Sequence, residues 1–219
     1  MGSEMCIRDR PRDIHFHEWL SMLLQSSVIS DALVLHLCPT EKTTDNDIEK
    51  SLEICYKNID AFEAIHLFSC CYAYREGMEP LLAQGVAKSF WSLDAGTEET
   101  FEKIKRKKNA FGRVLENVER YKKYDAFDGM SIIPKYSIVK GINDNEKDFD
   151  GFIEICKHFN VRYCGIQWDY ADNDNTNEAD FEIIRMLYKK IRDAGLKARY
   201  CSCSRVLSKA LNNLAFYEV

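Results

Sequence analysis

Short apolar runs alternate along this chain with longer stretches whose apolar residues recur every three or four positions. That alternation restricts the available folds more than any single motif. The runs lie at 32–37 (Ala-Leu-Val-Leu-His-Leu), 64–69 (Ala-Ile-His-Leu-Phe-Ser), 89–93, 131–139 and 161–170. Each has the length and continuity of a strand covered on both faces. Between them Ile48, Leu52, Ile54 and Cys55, then Phe111, Val114, Leu115, Val118 and Tyr121, then Phe149, Phe152, Ile153, Cys156 and Phe159, then Phe181, Ile184, Leu187, Tyr188 and Ile191 mark helices. Shorter helices are expected at 14–25 and 76–84, Gly195 closes the last long helix, and an extended piece at 197–203 precedes a short helix. Strands joined by helical crossovers form a parallel sheet, so an α/β fold is predicted, curved into a partial barrel or doubly wound. The first helix has no strand before it, which predicts a truncated start.

Composition narrows the chemistry. A chain of 219 residues with 46% hydrophobic residues can bury one sizeable core, and its net charge of -5 gives no field that would draw nucleic acid or an anionic membrane. Neither partner is expected; small ligands are. No apolar stretch approaches the roughly 18 residues a membrane span needs. Nine cysteines, an odd number without an evident signal peptide, suit a reducing cytoplasm with mostly free thiols. Residues 1–10 lack any periodicity, and Met-Cys-Ile-Arg-Asp-Arg within them looks like a translated sequencing adapter. The expected organisation is a non-native segment at 1–10, a βα domain at 11–203 and a tail at 204–219.

Chemistry is expected at the carboxyl end of the strand in Ser-Phe-Trp-Ser-Leu-Asp-Ala-Gly-Thr at 89–97. Ligands of parallel βα folds bind where strand ends and helix amino termini converge. Ser92 and Asp94 share one face there, a hydroxyl and a carboxylate suited to a ligand's hydroxyls, or else a strand end that merely caps the next helix. Thr97 followed by Glu98 and Glu99 starts that helix. Lys135 stands inside an otherwise apolar run and must reach an anion, a carboxylate or an edge. The basic run at 103–108 reads as a solvated face with ion pairs, and His15 and His17, two apart on a helix, as solvated or capping side chains. The acidic loop at 169–174 lacks the glycine and glutamate offsets of a calcium loop and reads as a linker.

Several segments together resemble the later two thirds of a radical S-adenosylmethionine (SAM) domain. They are Ser-Leu-Asp-Ala-Gly-Thr at 92–97 with Glu-Thr-Phe-Glu-Lys-Ile-Lys after it, Phe-Gly-Arg-Val-Leu-Glu-Asn-Val-Glu-Arg-Tyr at 111–121, Pro-Lys-Tyr-Ser-Ile-Val-Lys-Gly-Ile-Asn-Asp-Asn at 134–145 and Gly-Ile-Gln-Trp-Asp-Tyr at 165–170. The resemblance implies a partial (β/α)6 TIM-like barrel with its first strand truncated. It places Ser92 and Asp94 at the ribose of SAM, Arg113 and Lys135 at the methionyl carboxylate, and Gln167 with its neighbours to Asp169 by the adenine. It implies a parent enzyme that cleaves SAM reductively at a [4Fe-4S] cluster, forming a 5'-deoxyadenosyl radical that takes hydrogen from a substrate the sequence does not name. A flavodoxin or ferredoxin would donate the electron.

Two departures qualify this. The Cys-x3-Cys-x2-Cys ligand spacing occurs nowhere among Cys6, Cys38, Cys55, Cys70, Cys71, Cys156, Cys164, Cys201 and Cys203. Where the family has Gly-Gly-Glu-Pro, this chain has Leu37-Cys38-Pro39-Thr40-Glu41. Loss of the cluster loop upstream of Arg12 accounts for the first, with Cys70-Cys71 and Cys201-x-Cys203 read as idle thiols rather than auxiliary ligands. A non-catalytic βα domain for a ligand or partner, and a cluster-free lyase using Lys135 as its amine, remain the alternatives.

Overall fold

The computed structural model describes residues 4–6, 15–26, 33–38, 44–169, 176–200 and 210–211. In chain order the elements are β1 (Glu4–Cys6), α1 (Phe16–Gln25), β2 (Leu33–Leu37), α2 (Asp45–Lys57), β3 (Phe62–Ser69), α3 (Met78–Ala83), β4 (Ala87–Ser92), α4 (Glu98–Lys105), α5 (Phe111–Lys122), β5 (Ile132–Ile138), α6 (Glu146–His158), β6 (Tyr163–Trp168), α7 (Glu178–Asp193) and β7 (Lys197–Tyr200). Every strand pairs in parallel with the next, in the order β1 to β7 without a reversal. A doubly wound sheet reverses its strand order at a switch point. Right-handed crossovers that always step the same way instead put all helices on one face, the arrangement of a TIM-like barrel. The partial barrel is therefore the correct alternative.

Register assigns the two faces. Leu33, Leu35 and Leu37 of β2 are buried while Val34 and His36 between them are half-buried. His36 lies opposite His66, Phe68 opposite Phe90, and Ser92 opposite Lys135, so these residues share one face. Their rings form a layer across β2, β3 and β4: His36 and His66 are 4.8 Å apart, His66 and Phe90 5.2 Å, and Phe68 and Phe90 4.6 Å. The opposite face carries Ile65, Trp91, Tyr136 and Ile166, all fully buried. Residues from the helices, including Leu52, Val114, Val118, Phe149, Phe152, Ile184 and Leu187, join them in the core.

The first strand position holds three residues, and they come from the adapter-like stretch. Glu4 to Cys6 pair with Val34 to His36. A parallel edge offers main-chain groups to any extended peptide regardless of side chains, which is reason enough for so short a strand to form there.

His15 and His17, expected as solvated or capping side chains, converge on one carboxylate. Both ring Nδ1 atoms lie on Oδ1 of Asp47, at 3.0 and 3.1 Å, with the two rings stacked at 5.6 Å. His15 precedes α1 in extended backbone, so its side chain does not follow the helical spacing that separates i from i+2. Asp47 is buried and also completes a capping box with Thr44 at the start of α2. One carboxylate thus fixes the start of α2 and ties α1 to it.

Candidate functional site

The loop between β4 and α4 is set by close packing. A Cβ at Gly96 would lie 1.9 Å from the Asp148 carbonyl oxygen, and one at Gly151 would lie 2.2 Å from the Gly96 carbonyl oxygen. The loop therefore rests backbone to backbone on the first turns of α6. The buried Asp148 carboxylate holds it, accepting from the Gly96 N–H at 3.1 Å, the Thr100 hydroxyl at 2.8 Å and the Asn145 amide at 3.1 Å. Thr97 and Asn145 cap α4 and α6, as their sequence positions predict.

Asp94 turns back over the sheet from a left-handed backbone with φ of 55°. Asp tolerates that region better than most residues but still at a cost of order 1 kcal/mol, so neighbouring bonds must hold it. Its N–H donates to the Lys135 carbonyl at 3.1 Å, and its carbonyl accepts from the Asn143 amide at 2.8 Å. The same Asn143 amide nitrogen donates to the Ser137 carbonyl at 2.8 Å, and its Oδ1 accepts from the Val139 N–H at 2.6 Å. Asn143 is completely buried and joins the ends of β4 and β5.

Around Asp94 the side chains form one cluster. Oδ1 accepts from the Ser137 N–H at 2.7 Å and lies 3.9 Å from Lys135 Nζ, while Oδ2 receives Lys105 Nζ at 2.5 Å. Lys135 Nζ also donates to Ser137 Oγ at 3.0 Å and Gln167 Oε1 at 3.3 Å. Both lysine side chains are well covered, at 11% exposure for Lys105 and 14% for Lys135, so one buried carboxylate lies between two cations. Lys103, Arg106, Lys107 and Lys108 are exposed, but Lys105 departs from the reading of 103–108 as a solvated face with ion pairs: it is ion-paired but covered. The last turn of α4 points it at Asp94, and Arg106 then enters left-handed backbone with φ of 55° and redirects the chain, after which Lys107 packs 4.0 Å over the Tyr72 ring.

Beside this cluster a cleft of about 290 Å³ opens at the carboxyl ends of β2, β3 and β4. Its walls are Cys38, Phe68, Ser69, Cys70, Arg75 and Ser92, with Ile48 and Leu67 as apolar lining. The volume lies near the lower end for small-ligand sites. Arg75 is held on both sides: its N–H donates to Tyr121 Oη at 2.6 Å, and its guanidinium pairs with Asp45 at 2.5 Å and lies 3.9 Å from Glu49. Asn117 fixes the same loop by donating to the Cys71 carbonyl at 2.8 Å. Burial pushes the Cys71 and Cys55 thiols up to about 12, which suits packed rather than reactive sulfur.

Of the residues expected from the sequence, Asp94, Lys135 and Gln167 meet in one cluster, and Ser92 lies opposite Lys135 in the sheet while lining the cleft. Arg113 is not with them. It sits on the exposed side of α5, with no hydrogen bond or ion pair to the cluster among the described residues. The guanidinium at the cleft is that of Arg75. Glu41, the acidic loop from 170 to 174, Cys201 and Cys203 lie outside the described residues. Sequence reasoning missed Lys105, Arg75 and Ser137. Only Ser137 carried a signal, standing two residues after Lys135 on the same strand face.

A radical SAM methyltransferase from Sphaerobacter thermophilus superposes with a TM-score of 0.51 at 12% identity, over 86% of this chain and 58% of that one. A domain of pyruvate-formate lyase-activating enzyme from Bacteroides vulgatus ATCC 8482 gives 0.58 at 13%, over 77% of this chain and 98% of that domain. What is shared is the fold. This chain thus spans under two thirds of the methyltransferase and nearly all of the activating-enzyme domain. No protein-family model and no curated protein matches the sequence. No helix among the described residues is long and apolar enough to cross a membrane.

Proposed function

We propose that this chain is the SAM-binding portion of a radical SAM enzyme, with the nucleoside held at the carboxyl rim of β3 to β6. The reading is carried by one observation: Asp94, Lys135 and Gln167 gather at the ends of β4, β5 and β6, with Ser92 turned from the same rim into the adjoining cleft. Hydroxyl, amide and ammonium groups there match a ligand that combines sugar hydroxyls, a base and a carboxylate. The low-identity structural likeness supports the same reading at the level of fold.

The iron-sulfur cluster of such enzymes does not fit these residues. It needs three thiolates, with one iron left open. Among the described residues no group of three Cys, His, Asp or Glu side chains is placed to hold a metal. In this reading, reductive cleavage of SAM, the flavodoxin or ferredoxin that would drive it and the hydrogen-donating substrate belong to a parent protein with a cluster loop. This chain's own residues bind and orient the nucleoside.

Calorimetric titration of the whole chain with SAM and S-adenosylhomocysteine tests the proposal. Both should bind, and Ser92→Ala should weaken both by about 10-fold, the worth of one lost hydrogen bond. Absence of binding at millimolar ligand, or a Ser92→Ala variant that binds as the parent sequence does, would contradict it. A non-catalytic βα binding domain is the second reading, favoured by Lys105, which occupies the Asp94 carboxylate. It predicts that Asp94→Asn leaves ligand binding unchanged, whereas the SAM reading, with Asp94 at the ribose, predicts a loss. The lyase alternative lacks support, since Lys135 Nζ is ringed by the oxygens of Ser137, Gln167 and Asp94 rather than by an apolar pocket.

A further inference from the structure

A guanidinium in the wall of the cleft has more donors than its surroundings use. The Arg75 side chain is only 13% exposed, and of its five guanidinium N–H groups one has an acceptor among the described residues, Asp45 Oδ1. Glu49 Oε1 lies beyond hydrogen-bond distance at 3.9 Å, and its Oε2 accepts from the Gly77 N–H instead. Asp45 is itself 79% exposed, so water screens the pair and much of the covered positive charge goes unanswered. Covered polar groups are ordinarily matched by partners.

The surrounding loop keeps the guanidinium in place. The Arg75 N–H donates to Tyr121 Oη at 2.6 Å, and the Tyr74 ring stacks on that of Tyr121 at 4.5 Å. The main chain that carries Arg75 is thereby fixed by α5 before any ligand arrives. Among the described residues lining the cleft, Arg75 alone is charged; Ile48, Leu67 and Phe68 supply apolar surface, and Ser69 and Ser92 supply hydroxyls. Phe68 is held by its stack on Phe90 at 4.6 Å. The Ser69 hydroxyl accepts from the Cys71 N–H at 2.9 Å and keeps its own proton to donate. One fixed cation beside apolar surface and hydroxyls complements a small organic anion, and the guanidinium fork matches the paired oxygens of a carboxylate or a phosphate.

We infer that the cleft is a binding site for a small organic anion, with its carboxylate or phosphate on Arg75 and its carbon skeleton against Ile48, Leu67 and Phe68. The role of that anion rests on the proposed function: it is the hydrogen-donating substrate, because such a molecule must lie against the nucleoside, and Ser92 is a wall the two sites share. Anion binding itself stands on the geometry of the cleft.

The whole chain is titrated with hexanoate, hexyl phosphate and 1-hexanol, three probes with the same skeleton and different head groups, in parallel with Arg75→Met. The variant keeps an apolar stem and the main-chain N–H that bonds Tyr121, and a urea midpoint close to that of the unsubstituted chain checks that the loop is retained. At least one anion should bind, about 10- to 100-fold more tightly than 1-hexanol, and Arg75→Met should remove that difference. Preference for hexanoate or for hexyl phosphate identifies the head group. Equal binding of all three probes, or anion binding that survives Arg75→Met, would overturn the inference. S-adenosylhomocysteine and 5'-methylthioadenosine, which lacks the carboxylate, separate the two readings. If Arg75→Met weakens only the former, Arg75 serves the methionine end of the nucleoside and a separate substrate site is refuted. If neither nucleoside binds while an Arg75-dependent anion does, the SAM reading fails and the anion site stands. Binding of none of the five probes would contradict both.

Discussion

Asn143 holds more of the site than any residue that faces the cleft. Its side chain serves the carbonyls of Asp94 and Ser137 and the N–H of Val139, and its own carbonyl accepts from the Tyr136 hydroxyl at 2.7 Å. Asn143→Ala leaves one buried and two partly buried main-chain groups without partners, so we expect a loss of about 2–4 kcal/mol in urea unfolding and weaker ligand binding, because Asp94 loses its support. Residue by residue, the sequence was informative where strand alternation fixes direction. Ser92 and Lys135 are on one face for that reason, and Ser137 follows from the same rule. It was uninformative for Arg113 and Arg75, because a loop guanidinium is aimed by long-range bonds such as that from the Arg75 N–H to Tyr121, 46 positions away. Nothing local in the sequence around Asn143 indicates that it would be fully buried.

Among the elements, the loop leading into α4 is joined to the first turns of α6 because Gly96 and Gly151 let the two backbones touch. Gly96→Ala would force a methyl group to within 1.9 Å of a backbone oxygen that no side-chain rotation can move away. Its expected cost is about 3 kcal/mol or more, seen as a lowered thermal midpoint, with loss of the ordered Thr97 cap. The pairing of α1 with α2 makes a pH-dependent contribution. The Asp47 carboxyl is held below the usual carboxylate range chiefly by the Thr44 hydrogen bond, with help from Thr44 N–H, His15 and His17 against the opposing effect of burial. A folded-state value below the unfolded value of about 3.9 means this stabilisation is present above that pH and is lost as pH falls through the folded value. Urea midpoints measured between pH 5 and pH 2 should therefore fall less steeply for Asp47→Asn than for the unsubstituted chain, and equal slopes would assign the acid sensitivity elsewhere. Helix periodicity and caps were legible here, with Thr97 and Asn145 at the expected positions. The inward Lys105 was not, because charge patterning describes the solvated side of a helix and takes no account of a carboxylate buried beneath its last turn.

For the molecule as a whole, alternating strands and helices were visible as short apolar runs between amphipathic stretches, but the order of strands in the sheet was not. Both a doubly wound sheet and a barrel satisfy that pattern, and only the unbroken sequence from β1 to β7 decides between them. The consequence is functional, since a single winding places every strand's carboxyl end on one rim, and Cys70, Ser92, Asp94, Lys135 and Gln167 come together there from segments spread over nearly half the chain. Hydrogen exchange of the intact chain, with and without saturating S-adenosylhomocysteine, tests that rim most directly. Slowed exchange is expected at 69–75, 92–97, 135–137 and 167–169, with the amino-terminal ends of the strands unchanged. Protection confined to the amino-terminal ends or to the outer helices, or no protection at all, would contradict it.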